Sequence, residues 1–248
     1  DLTDEQWEAI KRFVPGPERE RTTTKGGRPW RDPRDVLHAI LWILRTGAPW
    51  ADLPRKYPPY QTCHRRFQKW EREGVLDRIL RAIARDLHQR GKLDLTEAFI
   101  DGTHAGAKGG LDVGITRRGK ATKIMAVADR NGLPLAVWTA PGQRGETTLV
   151  RDTLRGRFLN ALPQRLIGDR AYDSDGLDAE LKELGIEMIA PHHPTRKRIT
   201  QDGRQLRRYR RRWHVERLFA WMMRFRRLVT RYEHNASNFL GFVKLAVS

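Results

Sequence analysis

Three carboxylates stand where this chain could use them for chemistry. Asp101 follows the apolar run Leu95-Thr-Glu-Ala-Phe-Ile100, Asp169 follows Arg165-Leu-Ile167-Gly168, and Glu216 lies inside the stretch Tyr209–Arg231. The first two read as the ends of short strands, and the carboxyl ends of neighbouring strands are where an α/β sheet places its site. Brought together in a partly buried site, three like charges repel, and a bound cation is the natural remedy. Donors that are all oxygen suit magnesium, which takes carboxylates and keeps several waters. Two such ions about 3.5–4 Å apart can activate a water or a 3′-hydroxyl and stabilise the leaving oxygen of a phosphodiester. Two plainer readings stand beside this one. An Asp after a strand also forms turns, as Asp173, Asp175 and Asp178 are expected to do, and Glu216 could pair only with the arginines around it.

The stretch holding Glu216 has no Pro or Gly. Its apolar residues Val215, Leu218, Phe219, Met222, Phe225, Val229 and Tyr232 recur at helical spacing. That pattern predicts one amphipathic helix over Tyr209–Arg231. Tyr209 and Arg212, seven and four residues before Glu216, share its side of such a helix. From Arg196 to Arg231 there are 14 Lys and Arg against two acids, Asp202 and Glu216. Arginines that dense can hold phosphates. Lys108 and Arg170 flank the strand-end carboxylates and are further phosphate candidates, or else surface charges. His104 could aid catalysis or make a hydrogen bond within its loop.

The elements that must position these groups fall into two parts. Thr3 and Gln6 form a capping box for a first helix ending near Val14. Asp32-Pro33 opens a second, ended by Gly47. A short turn around Trp50 and the basic helix Tyr60–Trp70 have the outline of a helix-turn-helix, or of a small bundle with a basic face. In the first reading Phe67 and Trp70 face inward, and Gln61, Thr62, His64, Arg65, Gln68 and Lys69 are free to meet DNA. A further helix runs from Val75 to Gln89. Residues 18–31 and 191–203 read as basic connectors. Beyond residue 94 the pattern turns to strands: 95–100, 122–128, 133–139, 165–167 and 186–190, with a turn at Asp129-Arg-Asn-Gly132 and helices at 146–157 and 174–184. A glycine- and lysine-rich loop is expected over 105–120. The resulting division is a helical domain, 1–92, and a second domain, 93–248.

At 248 residues the chain can bury a real core in one large or two small domains. Lys and Arg number 48 against 30 Asp and Glu, a formal net charge of +18, which points to a polyanion, and nucleic acid before a membrane surface. No long apolar run, signal peptide or lipidation motif argues for a membrane. The single cysteine, Cys63, excludes an intrachain disulfide and a multi-cysteine zinc site, and it suits a reducing cytoplasm. His192 and His193 are adjacent, flanked by prolines, and read as loop residues.

These residues together resemble a known family. Leu2-Thr-Asp-Glu-Gln-Trp7, Leu41–Trp50 and Asp52-Leu-Pro54, then Ile100-Asp-Gly-Thr103, Thr122-Lys-Ile124, Gly132-Leu-Pro134, Gly168–Asp173 and Tyr209–Arg231 look like the DDE transposases of bacterial insertion sequences. Within these the resemblance is to insertion-sequence family five, in the broader family-four-like group. It spans nearly the whole chain. It implies an N-terminal all-helical DNA-binding domain followed by a ribonuclease-H-like mixed-sheet catalytic domain. It also implies that Asp101, Asp169 and Glu216 hold two Mg2+ ions, for which Mn2+ would substitute. The expected activity is binding of terminal inverted repeats, metal-dependent cleavage at the element ends and joining of 3′-hydroxyls to target DNA. A homodimer or larger assembly on double-stranded DNA in the bacterial cytoplasm, at the nucleoid, is implied as well. The family signature is Tyr, two residues, Arg, three residues, Glu, six residues, Lys. Tyr209, Arg212 and Glu216 match it, but Met223 stands at the lysine position with Arg224 beside it. The rival functions are a catalytically inactive or domesticated DNA-binding protein, and a metal-dependent nuclease without strand transfer.

Overall fold

The computed structural model describes residues 2–16, 30–197 and 205–248. Much of the connector expected over 18–31, and the end of that over 191–203, lies outside the described residues. Four helices come first: α1 (Asp4–Ile10), α2 (Pro33–Thr46), α3 (Tyr60–Arg72) and α4 (Val75–Gln89). The expected caps are present. Thr3 and Gln6 close a capping box on α1, Asp32 caps α2, and Gly47 ends α2 at φ 70° in the left-handed region that favours glycine.

The chain then builds a mixed sheet from β1 (Ala98–Ala107), β2 (Gly114–Thr116), β3 (Gly119–Asp129), β4 (Pro134–Pro141), β5 (Arg165–Ile167), β6 (Glu187–Ile189) and β7 (Thr230–Arg231). The strands lie in the order β4-β3-β1-β5-β6, with β2 extending beside β3 and β7 beside β1. β1, β3 and β4 are antiparallel neighbours, whereas β5 and β6 run parallel to β1. Helices α5 (Val150–Arg155), α6 (Asp175–Glu183), α7 (Trp213–Met222), α8 (Arg226–Val229) and α9 (Ala236–Ala246) complete the described elements. The tight turn before β4 is held by Asp129, whose buried carboxylate accepts from the backbone N–H groups of Asp94, Asn131 and Leu133.

Three expectations need correcting. First, β1 does not stop before Asp101. Past Phe99 it loses β5 but stays paired with β3 as far as Gly106, so Asp101 lies inside the strand and much of the expected loop is strand β1 and the β2–β3 hairpin.

Second, Tyr209–Arg231 is not one helix. Residues 205–211 form a 3-10 segment, α7 ends at Met222, and the chain turns at Phe225 into short α8 and β7. The cause is two buried guanidiniums. Arg227 pairs with Glu233 at 2.6 Å and donates to the Ala48 carbonyl. Arg231, fully buried, donates to Thr122 Oγ1 and to the carbonyls of Leu111, Asp112 and Glu233. A buried charge must be completely hydrogen-bonded, and these acceptors lie on other loops. The backbone leaves the helix to reach them, and Val229 and Tyr232, assigned to the buried stripe, are 49% and 53% exposed.

Third, a helix absent from the sequence reading, α9, packs against α2, α3 and α4. Phe242 stacks 4.4 Å from Phe67, and Lys244 Nζ donates to Glu71 and Asp77, each at 2.8 Å. The apolar core is accordingly continuous from the helices into the sheet.

Replacing Arg227 with Met should strand the buried Glu233 carboxylate and cost about 3–5 kcal/mol in urea unfolding. The double change Arg227→Met with Glu233→Leu should recover most of that loss. An equal loss in both variants would show that shape, not charge, holds the break.

Candidate active site

The sheet register brings the first two carboxylates side by side. Phe99 of β1 pairs with Ile167 of β5, and Asp101 and Asp169 each follow two residues later. Parallel neighbours run about 4.8 Å apart, and residues two apart share a face, so the two side chains leave the sheet together. Beyond β5 the chain bends into a 3-10 turn, Arg170–Tyr172, whose first N–H groups are orphaned; Asp169 Oδ1 accepts from Ala171 N at 2.8 Å.

The third carboxylate arrives on α7, which packs on β1 and β3. Arg212 joins it to the first. Its Nη1 donates to Asp101 Oδ2 at 2.8 Å and its Nη2 to Glu216 Oε1 at 2.6 Å, so one guanidinium spans both. The approach to α7 is itself anchored. Arg208 and Arg211 both donate to the buried Glu97 at 2.8 Å, fixing the segment that carries Tyr209 and Arg212. The ring of Tyr209 lies 5.8 Å from the Arg212 guanidinium.

A fourth carboxylate escaped the sequence reading. Glu146 lies just ahead of a 3-10 turn (Thr147–Leu149), and its Oε1 accepts from the buried Lys123 at 3.2 Å. A Cβ on Gly102 would sit 2.9 Å from that oxygen, so the glycine after Asp101 leaves space for Glu146 to approach the pair. The Asp101-Gly102 step was the available signal, but nothing in the loop around Glu146 points back to it.

Burial raises the Asp101 carboxyl to about 6; Arg212 and the Gly102 N–H pull it down, while Glu146 and Asp169 push it further up. Burial, and then the Glu146 charge, likewise hold the Tyr172 phenol well above its ordinary range. Burial raises the Asp129 carboxyl as well, but its oxygens take three backbone donors, whereas Asp101 takes one backbone N–H and the Arg212 guanidinium. Oxygen donors that repel one another fit a hard divalent cation, which would relieve that repulsion. As arranged, with Arg212 between two of them, no three His, Cys, Asp or Glu side chains among the described residues form a ready metal cluster.

Other sequence candidates scatter around this centre. Lys108 and Arg170 are exposed. His104 Nε2 lies 3.0 Å from the Gly142 carbonyl, so that nitrogen carries the proton; the hydrogen-bond reading holds, with its partner in the loop after β4. Asp173 is more than a turn former: buried, it binds His192, the His193 N–H and Arg196. Met223 and Arg224 fall in the break after α7, where Arg224 lies 5.4 Å over the Trp221 ring. On α3, Phe67 and Trp70 are buried as expected, Gln61 and Arg65 are exposed, and Thr62, Gln68 and Lys69 are half-buried. His64 differs: its ring stacks on Trp50 at 4.8 Å, and burial holds it below the ordinary histidine value.

Comparison with known proteins decides the family. The model described as "Transposase DDE domain" matches residues 93–248. The chain belongs to the DDE transposases. A second model, "Putative transposase of IS4/5 family", matches residues 2–80 of this transposase. An uncharacterized protein of Sinorhizobium fredii, y4sN, is 41% identical over 103 residues, covering 41% of this chain and 73% of that one. The "Putative transposase for insertion sequence element IS6501" of Brucella ovis is 34% identical over 126 residues, covering 50% of this chain and 93% of that one. Among solved structures, a piggyBac transposase synaptic complex with hairpin DNA aligns with 99% of this chain and 70% of its own at a TM-score of 0.54 and 11% identity. The shared fold is the expected one, a helical part followed by a ribonuclease-H-like mixed sheet. The transposase family carries divalent-metal dependence with it. Among the described residues no helix is long and apolar enough to cross a membrane.

Because the Asp101 carboxyl is raised to about 6, its neutral form favours the fold, and stability is lost as pH rises through that value. Asp101→Asn should therefore melt above the wild type at pH 8, with the gap closing toward pH 4. A saturating divalent cation should raise the wild-type melting temperature more than the variant's. Equal melting of the two proteins at every pH would show that Asp101 carries no burden in the free enzyme.

Proposed function

We propose that this transposase binds the terminal inverted repeats of an insertion sequence, cuts the phosphodiesters at the element ends and joins the 3′-hydroxyls to target DNA. The observation that carries the catalytic assignment is the grip of Arg212 on both Asp101 and Glu216, beside Asp169. Those three carboxylates are the residues to hold two Mg2+ ions, with Mn2+ as a substitute. When bound, the ions supply Lewis-acid activation of water or 3′-hydroxyl and neutralise charge on the leaving oxygen.

The chain's own residues set the geometry. Asp101 on β1 and Asp169 just past β5, each two residues beyond the Phe99–Ile167 pair, are the residues to address one scissile phosphate, with Glu216 on α7. In the free enzyme Arg212 neutralises two of the three. Arg212, with Tyr209 beside it, is the residue that would hold a DNA phosphate whenever its two carboxylates are otherwise neutralised. Arg170, exposed next to Asp169, takes a flanking phosphate, and Lys108, exposed past the far end of β1, takes one farther along the duplex.

Recognition falls to the helical domain, 1–92. Gln61, Thr62, Arg65, Gln68 and Lys69 of α3 offer amide, hydroxyl and cationic groups suited to base edges and phosphates. His64, stacked on Trp50, serves by fixing the preceding turn against α3. The catalytic domain is 93–248. Two ends must be processed together, so a homodimer or larger assembly forms on DNA, at the bacterial nucleoid.

The test is cleavage and joining of a labelled inverted-repeat end with Mg2+. Asp169→Ala and Glu216→Gln should keep wild-type DNA binding and lose both reactions. Activity equal to wild type in both variants would reduce Glu216 to a salt-bridge partner of Arg212. Cutting without joining by the wild type would favour a nuclease.

A further inference from the structure

On the sheet beside the carboxylate centre lies a second, strongly cationic feature that the catalytic scheme leaves unused. A cavity of about 530 Å³ opens between the β2–β3 hairpin and the loop after β4, lined by His104, Arg117, Arg118, Lys120, Lys123 and Gln143 among others. None of its lining residues is acidic. Lys123, at its inner end, is already paired with Glu146. Arg117, Arg118 and Lys120 are exposed, and among the described residues none of the three makes an ion pair. Cations clustered within a few ångströms repel one another, so a hairpin that keeps three of them unpaired has a cost that an anion would relieve.

The lining selects the kind of anion. No Phe, Tyr or Trp borders the cavity, so nothing there stacks a free nucleobase. Arg117 and Arg118 form the hairpin turn and Lys120 follows two residues on, so the hairpin presents a cationic tip that suits neighbouring phosphates of one backbone. The cavity's place on the strand sets its distance from the chemistry. Ala121, next to Lys120, pairs with Gly106, five residues along β1 from Asp101, and Arg117 and Arg118 form the turn beyond Lys120. At about 3.3 Å per residue Lys120 stands roughly 20 Å from Asp101, or about six base-pair steps of duplex.

We infer that the β2–β3 hairpin is a backbone clamp, in which Arg117, Arg118 and Lys120 bind DNA phosphates about six base pairs from the one cut at Asp101. The inference rests on the transposase reading above but concerns residues that the reading does not use. Hydrogen bonding contributes as well: with His104 Nε2 donating to the Gly142 carbonyl, the loop that closes the cavity is tied to β1. The hairpin is thereby referenced to the strand that carries Asp101. It carries no sequence information of its own, because phosphate contacts fix register and orientation and do not read bases.

The test compares wild type with Arg117→Ala/Arg118→Ala/Lys120→Ala in binding to an inverted-repeat duplex across a salt series, after a thermal melt confirms that the variant is folded. Each phosphate contact contributes about 0.9 to the slope of log affinity against log salt, so the variant's slope should be shallower by about 2–3. Between 50 and 200 mM salt the wild type should then lose about 40-fold more affinity than the variant. Replacing the phosphates about six base pairs from the cut with methylphosphonates should weaken wild-type binding and leave the variant unaffected. Equal slopes, or equal sensitivity to methylphosphonate, would overturn the clamp while leaving the transposase reading intact. Stabilisation of the wild type but not the variant by inorganic phosphate, with unchanged DNA slopes, would assign the cavity to a free anion and also overturn it. Failure of the wild type itself to bind the duplex would instead sink the reading on which the clamp rests.

Discussion

Like-charge repulsion is the constraint around which this molecule is arranged. Burial does most to raise the Asp101 carboxyl, and the charges of Glu146 and Asp169 add to it. A fold that holds such a group must supply positive charge, and here the structural supplier is Arg212. Every nearby feature serves that contact. The β1–β5 register aligns the two aspartates, and the Glu97 anchor sets the start of α7. Gly102, bare of a side chain, leaves room for Glu146. A guanidinium is a suitable temporary counter-ion because it reaches two carboxylates in one plane without enclosing either.

Buried arginines elsewhere show the opposite use of the same chemistry. Arg231 has its charge fully absorbed by Thr122 and four backbone carbonyls, and Arg227 is locked to Glu233. These groups bear load in the fold and have no freedom to move. Arg212 is held by two acidic side chains and lies over the Tyr209 ring, with no backbone carbonyl among these partners. Position in the same basic stretch therefore does not set an arginine's task. The number of backbone carbonyls surrounding it does.

What could be read from the sequence was whatever local pattern controls. Helix caps at Thr3, Asp32 and Gly47, the strand cores and the turn at Asp129–Gly132 all follow from residues next to one another. The carboxylates were legible because they punctuate apolar runs. The errors share a different origin, in contacts between residues far apart. The break after Met222 is set by acceptors at 48, 111 and 233, and a helical period cannot register them. Strand β1 outlasts its apolar run because β3 continues to pair with it through polar and glycine positions. Glu146 reaches the site only through the fold. The α9 pattern was present in Phe239, Phe242 and Val243 but was overshadowed by the basic helix before it.

The seating of α9 bears on how such enzymes diversify. DNA-recognition modules are often pictured as interchangeable heads on a common catalytic body. Here the head is stitched to the body by a returning strap, with Phe242 against Phe67 and Lys244 joined to Glu71 and Asp77. A new set of N-terminal helices transplanted onto this sheet would meet a strap shaped for the old ones. Recombination at residue 92 alone would leave a buried lysine facing the wrong partners. On the proposed role of α3 in end recognition, a change of specificity has to exchange α9 too or alter the outer face of α3 residue by residue, leaving its inner side as it is.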